Sequence, residues 1–134
     1  MISKMLKKNE KGFTLMEMLI VVAIVAVLIA IAIPTFNSSL NRAKVATDEA
    51  NIRSGYASVM LEIIDNEPAA DQDYILQKDG SVATTSTNDY TTVGKNDDDV
   101  SIGGIAVTGG WGKDDTVTYS YSRATGAITI KVGD

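Results

Sequence analysis

From Phe13 through Ile33 the chain runs for twenty-one residues in which Thr14 and Glu17 are the clearly polar positions and Glu17 is the sole charge. At ~1.5 Å per residue a helix of that length reaches roughly 31 Å, about the hydrocarbon thickness of a bilayer. The segment is therefore expected to enter a membrane. A carboxylate inside it costs on the order of 2.5 to 3.5 kcal/mol on insertion scales, so any function assigned to the chain has to supply Glu17 with a partner.

Charge is distributed to match. Residues 1–12 carry four lysines, Lys4, Lys7, Lys8 and Lys11, against Glu10, whereas the remainder carries eight Lys/Arg against sixteen Asp/Glu. A basic flank ahead of an apolar span is the positive-inside signal, which places residues 1–12 in the cytoplasm and sends the acidic part outward. That acidic part is a poor match for nucleic acid. The 134 residues contain neither cysteine nor histidine, which removes disulfides, thiolate metal sites and imidazole catalysis. No phosphate-binding loop is present, and an enzyme is not expected. No cofactor is implied.

Several plain readings of the apolar run compete. Ala30-Ile31-Ala32 resembles a signal-peptidase site, but the run is longer than a usual signal core and contains Glu17. A signal anchor holding a monomeric binding protein or enzyme explains the span without explaining Gly12, Phe13 or Glu17. A buried core helix leaves too little chain to wrap it.

The junction Lys11-Gly12-Phe13-Thr14-Leu15-Met16-Glu17, followed by the apolar run, resembles the cleavage and assembly motif of type IV prepilins. The resemblance is close from Lys11 to about Pro34 and covers the remaining chain in general plan. It implies cleavage by a prepilin peptidase between Gly12 and Phe13, N-methylation of Phe13, and a class III leader at residues 1–12. It further implies self-assembly into a helical homopolymer through Phe13 and Glu17, with a membrane platform protein and cytoplasmic assembly ATPases as partners and lipid around the segment beforehand. The precursor would sit once across the cytoplasmic membrane and the product in an extracellular pilus. A pseudopilin of a type II secretion or competence system is the alternative. Absence of cysteine departs from pilins with a disulfide-bounded carboxy-terminal loop and suits a Gram-positive source.

Cleavage after Gly12 would create an α-amine on Phe13, a positive charge at the end of a helix whose dipole is positive there as well. Glu17 lies one turn away. With staggered subunits it would meet a neighbour's amine; contact with its own amine is the other option. Such a buried pair serves better as a register device than as a source of stability.

Pro34 removes a backbone donor and predicts a kink or a local loss of helix, either as a filament feature of the family or as a mark of the membrane exit. Beyond it, Leu40, Ala43, Ala46, Ala50, Ala57, Met60, Leu61 and Ile64 recur at helical spacing and are expected to form the face that meets the rest of the protein. Arg42, Lys44, Asp48, Glu49, Arg53 and Glu62 are expected to be solvated or to contact neighbouring subunits. Gly55 is expected to ease close packing, and Asn66-Glu67-Pro68 to end the helix.

Three parts result: residues 1–12, a helix over 13–66 and a head over 67–134. Short strands are expected near Tyr74–Gln77 and Tyr90–Val93. One interrupted by a bulge at Gly103-Gly104 should run over Val100–Thr108, and Thr116–Ser122 and Ala127–Val132 should form a hairpin through Gly126. The fold class is α+β, a long amino-terminal helix whose rear half covers one face of a small antiparallel sheet.

In the head, Asp97, Asp98, Asp99, Asp114 and Asp115 are the densest acidic positions. They are read as solvated loops, with calcium as a weak alternative lacking EF-hand spacing. Trp111 between Gly110 and Gly112 is read as a loop anchor, the alternative being an adhesive aromatic, and Tyr119 and Tyr121 as core or sheet-surface residues.

Overall fold

The computed structural model describes Gly12 and residues 14–133. Helix α1 covers Leu15–Asp65. The strands are β1 (Gln72–Leu76), β2 (Val82–Ala83), β3 (Val100–Ile102), β4 (Ile105–Val107), β5 (Val117–Tyr121) and β6 (Ile128–Val132). They form an antiparallel four-stranded sheet in the order β2-β1-β5-β6 and a separate β3-β4 pair. The chain divides into two compact units between Ser39 and Leu40.

In the first unit α1 is exposed and, from Met18 to Ile33, wholly apolar, and it is long and apolar enough to cross a membrane. The expected loss of helix at Pro34 does not occur: α1 is continuous through it. Proline deletes a single donor here, and the next residue, Thr35, donates its hydroxyl to the Ile31 carbonyl at 3.1 Å.

In the second unit one core joins the rear of α1 to the sheet, and Tyr119, Ile52, Leu76, Ile102, Val59, Val107 and Val117 are its fully buried members of largest volume after Asp48 and Thr92 are set aside. Alternation supplies the sheet face: Val117, Tyr119 and Tyr121 of β5 are buried while Thr118 and Ser120 between them are not. Tyr119 and Tyr121 are therefore core residues. Tyr119 donates its hydroxyl to the Ile52 carbonyl at 2.6 Å, and it reaches that carbonyl because Gly55 has no side chain. A Cβ at Gly55 would collide with the Tyr119 hydroxyl and stand 2.7 Å from Leu76 Cδ1.

The helix buries the opposite face from the one expected. Asp48, Ile52, Gly55 and Val59 are buried, with Val45, Tyr56 and Ile63 packed beside them, whereas Leu40, Ala43, Ala46, Ala50, Ala57, Met60, Leu61 and Ile64 are exposed. The cause is size. Over residues 43–57 the expected face carries alanine alone, whereas the buried side there offers Val45, Ile52 and Tyr56, which have more apolar area to bury.

Two strand expectations are also corrected. Gly103 and Gly104 both have positive φ, 60° and 84°, and Ile102 pairs with Ile105. The chain therefore reverses in a two-residue turn of the kind that needs two left-handed positions, and Val100–Thr108 is a hairpin rather than one bulged strand. Tyr90–Val93 is no strand, because its amides go to different partners: Tyr90 to Leu76 O, Thr92 to Asp115 O and Val93 to Asp48. The β5–β6 hairpin and the end of α1 at Asp65 match expectation, with Gly126 at φ 71°.

Candidate functional site

The sequence points to the start of α1 as the site. Gly12 is exposed and outside the helix; Phe13 lies outside the described residues. Thr14 precedes the helix and Glu17 sits in its first turn. Thr14 N–H donates to Glu17 Oε2 at 3.1 Å, and Glu17 N–H donates to Thr14 Oγ1 at 3.1 Å. This is a capping box, in which an N-cap hydroxyl and a carboxylate three residues on satisfy two amides that the helix ladder leaves open. The ladder itself begins with Met18 N–H to the Thr14 carbonyl at 3.1 Å. Sequence reasoning missed the role of Thr14, although Thr-x-x-Glu before an apolar run is the signature of such a box.

A second polar centre lies in the head. Asp48 is fully buried, correcting its expected solvated place. Its Oδ1 accepts the Tyr90 hydroxyl at 2.5 Å and the Val93 amide at 2.9 Å; its Oδ2 accepts the Gly94 amide at 2.9 Å and the Trp111 indole N–H at 3.2 Å. Four donors fill about the four acceptor positions a carboxylate offers. No lysine or arginine pairs with it among the described residues, so hydrogen bonds alone compensate its burial. Gly94 permits this approach: a Cβ there would stand 2.8 Å from the Val45 amide nitrogen. One turn and more away, Asn41 exchanges two bonds with the Lys95 backbone at 2.9 and 3.0 Å. Helix side chains thus hold the loop Val93–Lys95 along α1.

Trp111 is buried and exchanges backbone bonds with Asn96 at 2.7 and 2.9 Å, as a loop anchor should. Burial, and then the bond to Asp48, push the Tyr90 phenol up to about 12; burial raises Tyr119 as well.

Of the five acidic candidates for calcium, two accept loop amides through their side chains. Asp99 Oδ1 accepts the Gly109 amide at 2.8 Å, Asp115 Oδ2 accepts the Gly112 amide at 2.7 Å, and exposed Asp97 pairs with Lys95 at 3.4 Å. Asp98 bonds Asn96 through its backbone, and Asp114 takes a left-handed φ of 66°. Among the described residues no three acidic side chains come together to hold a metal ion.

Comparison with known proteins addresses the amino-terminal site directly. Residues 7–33 match the family described as the prokaryotic N-terminal methylation motif. The chain is 37% identical over 94 residues, 66% of its length and 80% of the relative's, to the type IV narrow pilus major component PilA5 of Thermus thermophilus. The chain belongs to the type IV pilin family. This pilin is also 38% identical over 58 residues to the fimbrial protein EcpC of Eikenella corrodens and 37% identical over 60 residues to a type IV major fimbrial protein FimA of Dichelobacter nodosus. Those alignments cover 43% and 42% of the pilin but only 37% and 38% of the relatives. The chain therefore spans well under half of those two relatives and most of the first. No solved structure matches it significantly.

Proposed function

We propose that this pilin is the polymerising subunit of a type IV pilus, cut after Gly12, methylated on Phe13 and assembled through the amino-terminal helix. The observation that carries the reading is the match of residues 7–33 to the methylation motif on a chain whose helix α1 exposes a wholly apolar run from Met18 to Ile33. Before assembly that surface is solvated by lipid, since α1 keeps its backbone bonds internal as a bilayer requires. After assembly the same surface packs against other copies. The precursor is a single-span protein of the cytoplasmic membrane and the product lies on the cell surface. A membrane platform and a cytoplasmic ATPase supply the machinery and the work.

Glu17 is the residue assigned to register. Its carboxylate meets the methylated amine of a neighbouring Phe13, and each charge removes part of the other's desolvation cost. The relatives are named as major pilus and fimbrial components, which favours a pilus over a pseudopilin. Immunogold electron microscopy of producing cells tests the reading: antibody to the head should decorate long surface filaments, and label confined to the membrane would contradict it.

A further inference from the structure

In the second unit the uncovered face of α1 is apolar at both its ends. Leu61 and Ile64, near the carboxyl end, are 68% and 75% exposed, and Ala43 and Ala46, near the start of the unit, are exposed as well. At 3.6 residues per turn these four fall on one side of the helix, opposite buried Ile52 and Val59. Charge distinguishes the two ends. Arg42 flanks the alanines and Asp65 flanks the large pair, on opposite sides of the same stripe. Both are exposed, and neither makes an ion pair within the chain among the described residues. The last turn of α1 carries no basic residue, so its negative dipole end meets Glu62 and Asp65 where a cation is favoured.

We propose that this end docks on a second copy of the chain: Leu61 and Ile64 of one subunit pack on Ala43 and Ala46 of the next, and Asp65 pairs with Arg42 across the contact. This rests on the reading of the chain as a polymerising subunit and adds a place where successive copies meet outside the membrane-spanning segment. Copies anchored through the same segment, with the same end in the cytoplasm, stand parallel. Between parallel helices laid face to face opposite flanks adjoin, as e and g positions do in a coiled coil, which brings Asp65 of one beside Arg42 of the other. Large side chains set against alanines let the two helices approach closely. The two patches differ, so the contact is head-to-tail and repeats without closing on itself, as a filament requires. Within one chain the pair cannot form, because at ~1.5 Å per residue Arg42 and Asp65 stand roughly 35 Å apart on one continuous helix.

The test uses the full chain in cells that process and assemble it, with Arg42→Asp and Asp65→Arg made singly and together. Processing is read from the mass of the amino-terminal peptide and assembly from the amount of filament sheared from cells. Each single reversal sets like charges against each other and should lower the yield roughly tenfold with processing unchanged. The double variant restores opposite charges and should recover most of the yield, a rescue that cannot arise within one chain. A second measurement uses the absence of cysteine from the sequence: filaments carrying both Ala43→Cys and Ile64→Cys, treated with a bismaleimide too short to span one chain, should give a ladder of multimers that neither single variant gives. Full yield from both single reversals, no recovery in the double variant, or no ladder would overturn the docking surface, while filaments of the unmodified chain keep the polymer reading standing. Absence of filament from the unmodified chain would overturn that reading and this inference with it.

Discussion

The Asp48 carboxylate accepts the indole N–H of Trp111 at 3.2 Å across 63 positions of sequence. The bond ties the middle of α1 to a loop near the end of the chain, and the same carboxylate takes the Tyr90 hydroxyl and two amides of the intervening segment. In a cysteine-free head this centre does work that a cross-link could otherwise do.

Removing it should therefore be costly. Asp48→Ala strands four donors in the core, and the loss should be about 3 kcal/mol or more. Asp48→Asn keeps an acceptor and should lose less. Thermal unfolding of the purified chain in detergent, followed by the fluorescence of its single tryptophan, should show a fall in Tm of more than about 10 °C for the alanine variant. An unchanged Tm would mean the centre is dispensable.

Gly55→Ala tests the seating of the sheet on the helix. Alanine gains about 1 kcal/mol of helix propensity, yet its Cβ would collide with the Tyr119 hydroxyl and stand 2.7 Å from Leu76 Cδ1. Overpacking and the lost bond to Ile52 should outweigh the gain, giving a net loss of roughly 1–3 kcal/mol. Melting curves showing a rise in Tm would contradict the packing described.

Alkaline titration tests Tyr90. Its pKa is raised from 10.0 to about 12, so its contribution to stability is complete below pH 10.0 and is lost as pH rises through about 12. Tyrosinate absorbance of the native chain, compared with Tyr90→Phe, should differ by one group ionising near the upper value. A difference centred on the ordinary phenol range would show that Tyr90 is not held as described.

At the processing junction, Gly12→Val should accumulate as the uncleaved precursor, since the peptidase is expected to need a small residue before the cut. Immunoblots would show the larger form. Glu17→Ala, by contrast, should be cleaved and enter filaments poorly.

How much of this was legible depended on what each residue type signals. The span, its lone carboxylate and the Gly12-Phe13 junction stand out in the sequence because twenty-one nearly apolar residues have few alternative meanings. The β5–β6 hairpin was legible from strict alternation around Gly126. The buried face of α1 was not, because counting apolar positions gives alanine the same weight as isoleucine and treats a carboxylate as solvated. Weighting by size would have favoured Val45, Ile52 and Tyr56 over Ala43, Ala46, Ala50 and Ala57. Nothing local marks Asp48 as buried: its donors, Tyr90, Val93, Gly94 and Trp111, arrive from at least 42 positions away. Thr14, by contrast, carried a readable capping signature.

We propose that the apolar segment holds a precursor in the membrane and then, freed at Gly12, becomes the packing core of a polymer. Mass spectrometry of the subunit recovered from sheared surface filaments tests it most directly. The amino-terminal peptide should begin with N-methylated Phe13; filaments built from subunits that retain residues 1–12 would rule out the cut at Gly12.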